Sequence, residues 1–202
     1  MKKLIFLFGG LVLVSSCNKN TMELARASYT VEEHLEDHSP IYFEVNTEHS
    51  DSLVVNKNNV VSGTNFILSV ARDLNLETVL KETQKIKENK YKDKAHPDTK
   101  GIYFSYADTL NKKLAFFPIK NIEYGFLRPQ NIENLLYLNA SKDLFFETEP
   151  VDRADLKELL KYRADVQLGF SKSLNFESYL QLRVFLKEND LDGKFESVDM
   201  VY

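Results

Sequence analysis

Leu74-Asn75-Leu76-Glu77-Thr78-Val79-Leu80 recurs one hundred residues later as Leu174-Asn175-Phe176-Glu177-Ser178-Tyr179-Leu180, and Lys87-Glu88-Asn89 recurs as Lys187-Glu188-Asn189. In the first copy Asn75 stands where a helix N-cap is wanted, and apolar residues follow at helical spacing. A glutamate occupies the first turn, where the helix dipole favours negative charge. Leu68 and Leu168 extend the match into the apolar run before each copy. Duplication of a strand-loop-helix-strand unit would leave this pattern, with residues 66–106 and 166–202 as the copies. The ordinary likeness of one amphipathic helix to another accounts for the same letters.

Outward from the first copy, residues 41–45 and 53–55 read as strands, and Lys57-Asn58-Asn59 as a turn into Val60-Val61, a hairpin. Residues 66–70 are a further short apolar run. Leu76, Val79, Leu80, Thr83 and Ile86 form one packing face of a helix ending near Asn89. Residues 90–99 form a charged loop, whose lysines are a basic patch for an anionic surface or simply solvated. Residues 102–106 and 114–119 read as paired strands across Asn111-Lys112-Lys113, with Tyr103, Phe104, Tyr106, Phe116 and Phe117 in the core or lining a groove.

Around the second copy, residues 131–138 read as a short helix and residues 144–147 as a strand. Asp152 caps a helix through Tyr162, residues 166–170 form a strand, and residues 176–186 form a helix with a wide apolar surface. Val198, Met200 and Tyr202 alternate along a terminal strand, with Phe185 and Met200 expected inside. The fold class is α+β: a mixed sheet with helices packed on it and, if the repeat is a duplication, two related strand-helix-strand units. The domain reading is 1–16 signal peptide, 17–40 lipidated tether, 41–128 first unit and 129–202 second unit.

The N-terminus carries Lys2 and Lys3, an apolar run over residues 4–14, and Val14-Ser15-Ser16-Cys17. This resembles the lipobox of bacterial lipoproteins. The resemblance implies acylation of the Cys17 thiol, removal of the preceding peptide and acylation of the new amino terminus. An ordinary secretory signal with a cysteine near the cut is the plainer alternative. The apolar run is shorter than the ~20 residues a spanning helix takes, whereas acyl chains at about 0.8 kcal/mol per buried methylene would hold the chain on a membrane. Asn18, rather than aspartate, follows Cys17, and lipoprotein sorting then implies the periplasmic face of the outer membrane.

After removal of Lys2 and Lys3, 24 basic residues stand against 30 acidic ones, so the net charge moves from −4 to −6. That argues against a nucleic-acid partner. Hydrophobic content of 43% and aromatic content of 12% suffice for a core. Cys17 is the only cysteine, so no disulfide within the chain supports the fold.

Residues 18–40 are polar and read as a tether. Thr30 and Glu33 have capping-box spacing, which predicts a short helix over residues 30–37. His34 and His38 then share a face, with His49 as a third candidate metal ligand. The segment lacks the glutamate beside the first histidine that zinc proteases use, and a solvated helix face explains it equally. Near the C-terminus Glu188, Asp190, Asp192, Gly193, Glu196 and Asp199 follow the spacing of an EF-hand calcium loop. Glutamate stands first where aspartate is usual, aspartate stands last where glutamate is usual, and no exiting helix fits in the remaining residues. A helix end turning at Asp192-Gly193 into the last strand accounts for the same letters.

Residues 144–202 resemble the periplasmic domain of the ExbD/TolR family. A strand and Glu149-Pro150-Val151 turn lead to a short helix at residues 154–160, a strand at 166–170 and Ser171-Lys172-Ser173. A helix with Tyr179 near its start and a closing Val198-Asp199-Met200-Val201 strand complete the pattern. Family members carry a membrane helix with a functional acidic residue, which the signal-like N-terminus here does not supply, so proton coupling is not carried over. The resemblance implies a small module that binds an envelope protein or peptidoglycan.

Neither Gly-x-Ser-x-Gly, a phosphate-binding glycine loop nor His-Glu-x-x-His occurs. No cofactor and no catalytic residue is indicated. The expectation is a membrane-anchored, non-catalytic binding or scaffolding module of the cell envelope. A periplasmic hydrolase or metal-dependent enzyme is the alternative.

Overall fold

The computed structural model describes residues 22–46, 52–92, 100–130 and 132–202. Its strands form two mixed six-stranded sheets. In the first, β1 (Arg26–Ala27) precedes a hairpin of β2 (His38–Val45) and β3 (Leu53–Asn56), followed by β4 (Asn65–Val70), α1 (Leu76–Lys92) and β5 (Ile102–Asp108). β4 runs parallel to both β2 and β5, so the spatial order is β3-β2-β4-β5. β6 (Lys113–Pro118) returns antiparallel along β5, and β1 pairs with the last residues of β5 beyond the end of β4. β4 is apolar on both faces, as a central parallel strand must be.

The second sheet begins with β7 (Glu123–Gly125) and a hairpin of β8 (Leu135–Leu138) and β9 (Leu144–Phe146). β10 (Glu149–Val151) and a single turn of helix, α2 (Leu156–Leu159), lead to β11 (Val166–Phe170), α3 (Phe176–Glu188) and β12 (Phe195–Val201). Its order β9-β8-β11-β12 repeats that of the first sheet. The protein is therefore α+β with two related units, and the relationship reaches back beyond the sequence repeat to the hairpin. The units differ at their edges: β7 pairs parallel with β12 where β6 pairs antiparallel with β5.

The repeated heptads meet each other. The Leu76 N–H donates to the Leu174 carbonyl (2.8 Å) and the Phe176 N–H to the Leu74 carbonyl (2.9 Å), with Asn75 opposite Asn175. The first N–H groups of a helix have no partner inside it, and here each copy satisfies one for the other. The asparagines cap their own helices: Asn75 Oδ1 accepts from the Thr78 N–H and Asn175 Oδ1 from the Ser178 N–H, both at 3.1 Å. Behind this junction the cores of both units form one cluster. The Phe104 ring of β5 meets Phe176 of α3 edge-on at 4.8 Å, and Phe170 meets Tyr179 at 4.9 Å.

Several sequence expectations give way to tertiary contacts. Residues 30–37 are not helical, because both capping-box side chains are used elsewhere: the Thr30 hydroxyl donates to Asp108 and Glu33 pairs with Lys113 at 2.7 Å. The segment read as a tether is, from Leu24 onward, stitched to the first sheet, with the Val31 N–H on the Tyr106 hydroxyl (3.0 Å) and that hydroxyl on the Tyr29 carbonyl (2.8 Å). Lys57-Asn58-Asn59 is a turn, but Val60 and Val61 are not a strand; β3 pairs with β2 instead. Where a helix is expected over residues 131–138, Glu133 and Asn134 are a turn and Leu135–Leu138 are strand β8, held between β9 and β11. Asp152 makes no side-chain cap, and a 3-10 turn and the short α2 replace the longer helix.

β12 alternates as expected but on the opposite face. Asp199 and Val201 are buried, Met200 lies over Gly125 on the other side, and Tyr202 stacks on Tyr137 at 5.1 Å. Phe185 is only partly buried. Tyr202 and Met200 thus sit on the face away from α3.

Because one core serves both units, Phe176→Ala should cost about 3–5 kcal/mol and lower the urea midpoint of both halves together. A two-step curve in which fluorescence probes in the two sheets separate would contradict the shared core.

Candidate functional site

Buried charge is concentrated where α1, α3, β7 and β12 converge. Asp199 is 0% exposed and Arg183 is 3% exposed. Asp199 Oδ2 accepts from the Tyr179 hydroxyl (2.8 Å) and lies 3.2 Å from Arg183 Nε. That contact is an ion pair without hydrogen-bond geometry for the Nε–H, and Asp199 Oδ1 and the Tyr124 hydroxyl also lack hydrogen-bond partners among the described residues. Arg183 Nη1 turns to Asp192 (3.3 Å). From the first unit Lys87 of α1 reaches across, donating to the Ile122 carbonyl and standing 3.4 Å from Glu123.

Burial governs these groups. It pushes the Asp199 carboxyl above its ordinary value despite Arg183 and Tyr179, and it pushes the Tyr179 phenol up, with Asp199 adding to the effect. Burial lowers Lys87, with Glu123 opposing it. Burial also opposes the Arg183 charge, but Asp199 together with Tyr179, Asp192 and Tyr124 outweighs it and raises the group. The cluster is closed off, so its chemistry is that of a buried latch between units. Sequence reasoning missed Arg183 and Lys87. The available signal was a cation at a buried helical position, Arg183 four residues after Tyr179 and Lys87 four after Thr83.

At the surface, β1 and α3 enclose a cleft of about 330 Å³ that both units build. Arg26, Ala27 and Ser28 form one wall and Gln181, Phe185 and Glu188 the other, with Arg153 at its end. Arg26 is held by Glu177, its guanidinium at 2.9 Å and its N–H at 3.2 Å, while its carbonyl accepts from Gln181 at 3.0 Å. The Arg153 guanidinium lies over the Phe185 ring at 5.7 Å. Arg153 also borders a second cleft of about 620 Å³ beside β9 and β10.

The candidates from sequence are dispersed. Cys17 and His49 lie outside the described residues. The His34 side chain is 87% exposed beside Glu33, and His38 Nδ1 sits 3.1 Å from the Leu35 carbonyl. Among the described residues no three His, Cys, Asp or Glu side chains are placed to hold a metal ion. Glu188 ends α3 on the cleft rim, Asp192 pairs with Arg183 and Lys187, and Asp199 is in the buried latch. The left-handed position after α3 belongs to Asp190 (φ 57°), not Gly193. The Leu191 N–H then donates to the Leu186 carbonyl (2.8 Å) and the Asp190 N–H to the Lys187 carbonyl (3.3 Å), a Schellman closure. No family model, curated protein or solved structure matches the chain.

Removing one partner of a buried ion pair leaves an uncompensated charge, so Arg183→Met should cost about 3–5 kcal/mol, and Arg183→Met with Asp199→Leu should recover much of it. The folded-state carboxyl of Asp199 is raised, so its contribution is fully present below the unfolded value near 3.9 and is lost as pH rises through the folded value. Without Arg183 that loss deepens. Urea unfolding of Arg183→Met should therefore show a larger deficit against wild type at pH 7.5 than at pH 4.5, and an equal deficit at both would contradict a charged Asp199.

Proposed function

We propose that the chain is a bacterial lipoprotein anchored through Cys17, acting as a non-catalytic binding or scaffolding module on the periplasmic face of the outer membrane. The observation that carries this is the cleft between β1 and α3, a surface to which both units contribute. Arg26 on its wall is nine residues beyond Cys17, at most about 30 Å of extended chain. A domain packed from Leu24 onward would thus sit close to the membrane with this cleft near the anchor. The order β9, β10, α2, β11, α3, β12 has the pattern on which the likeness to the ExbD/TolR periplasmic domain rests, which favours an envelope protein or peptidoglycan as partner. The net charge of −4 disfavours nucleic acid.

Cys17→Ala should abolish metabolic labelling with an alkyne fatty acid and move the protein from the carbonate-washed membrane fraction to the soluble one, because the thiol is the attachment atom. Continued membrane association of the unlabelled variant would overturn the anchor.

A further inference from the structure

A half-buried cation normally has an oxygen close by, and the described residues follow that rule with one exception. Among the described residues, Arg72, Lys87, Lys100, Lys113 and Arg183 each meet a carboxylate. Lys90 donates to the Thr64 carbonyl (2.7 Å) and Lys194 to the Lys161 carbonyl (3.1 Å). Arg153 is likewise not fully exposed, yet within the described residues it meets only the Phe185 ring. Burial lowers its pKa and no carboxylate offsets the effect. An uncompensated, desolvated guanidinium at the wall of two clefts is costly to the fold and suited to an anion supplied from outside.

The cleft around it is shaped for an extended chain. Ala25 and Ala27 turn their carbonyls to β5, accepting from Ala107 (2.9 Å) and Thr109 (2.8 Å). The other edge of β1 is capped at Arg26 by the Glu177 and Gln181 side chains, and Ser28, next along, makes no hydrogen bond within the described residues. Val184 and Phe185 supply an apolar floor. We propose that the cleft between β1 and α3 binds an extended peptide segment, pairing its backbone at Ser28 and its carboxylate with Arg153.

The planar guanidinium matches a carboxylate with two parallel hydrogen bonds, and the Phe185 face below holds it in orientation. The Ser28 backbone, just past the end of β1, is left to meet a peptide backbone as in strand addition. Glu188 on the rim disfavours a second negative charge, so a segment with one carboxylate fits better than a polyanion. This deepens the binding-module proposal by naming the partner's chemistry.

The full chain, purified in a non-ionic detergent, would be titrated into a fluorescein-labelled Thr-Val-Thr-Val-Glu peptide with its C-terminus free or amidated, and into the Thr-Val-Thr-Val-Gln amide, reading anisotropy. A glutamate peptide should bind at least about tenfold more tightly than the glutamine amide. Arg153→Met should abolish that preference while leaving the urea midpoint unchanged or raised, which a merely structural arginine would not do. Glu188→Gln should tighten binding. Retention of binding on amidation assigns the side-chain carboxylate and loss of it the terminal one; both support the site. Equal binding of glutamate and glutamine peptides, binding indifferent to Arg153→Met, or occupancy by soluble dihexanoylphosphatidylglycerol with no peptide bound would overturn it. Failure here leaves Cys17 anchoring untouched, so the two proposals fall separately.

Discussion

The reciprocal pair of backbone hydrogen bonds between Leu74–Leu76 and Leu174–Phe176 is the constraint on which the arrangement of the two units depends. Each strand-to-helix loop presents one carbonyl outward and one orphan helix N–H outward, and two such loops are self-complementary. Two related units can therefore close on each other at their repeated sequence, as a two-fold pair does in an oligomer. With the loops joined, α3 lies against β1 of the first unit and α1 against β7 of the second, and Phe104 and Phe176 come into contact. The shared core is a consequence of that junction.

The same geometry explains where the charge went. Once α1 and β12 approach, Lys87, Arg183 and Asp199 lose water together, with Glu123 at the exposed margin beside Lys87, and each buried charge is tolerable only because the others are present. A hydrophobic cluster of like volume would be at least as stable. What the ion pairs add is a requirement for one relative position of the units. The cleft is the outer margin of the same junction, built where β1 and α3 fail to close completely. Arg26 is neutralised by Glu177 there and Arg153 is not, which separates a structural cation from a binding candidate.

Much of the candidate site was illegible in sequence, for an identifiable reason. Arg153 stands in a polar stretch where an arginine attracts no notice, and its meaning comes from the absence of an ion-pairing carboxylate among the described residues, a property of neighbours far along the chain. Asp199 falls on calcium-loop spacing, whereas its counter-charge, Arg183, comes from a helix that reads as apolar. His34 and His38 drew attention by helical spacing, but Thr30 and Glu33 bind Asp108 and Lys113 and no helix forms to align them.

What the sequence determined alone was local: the N-caps Asn75 and Asn175, the buried face of α1 from Leu76 to Ile86, the β5–β6 hairpin, and β4 and β11 as apolar strands before each helix. These follow from side-chain periodicity and from hydrogen bonds between residues a few positions apart. The tertiary structure decided whether Leu135–Leu138 would be helix or strand, which face of β12 would be inside, and that residues from Leu24 onward would join a sheet. A strand has no internal hydrogen bonds, so its existence and its facing depend on partners that distant parts of the chain must bring. The Leu-Leu-Tyr-Leu of β8 suits either element by itself, and the edges of β9 and β11 make it a strand.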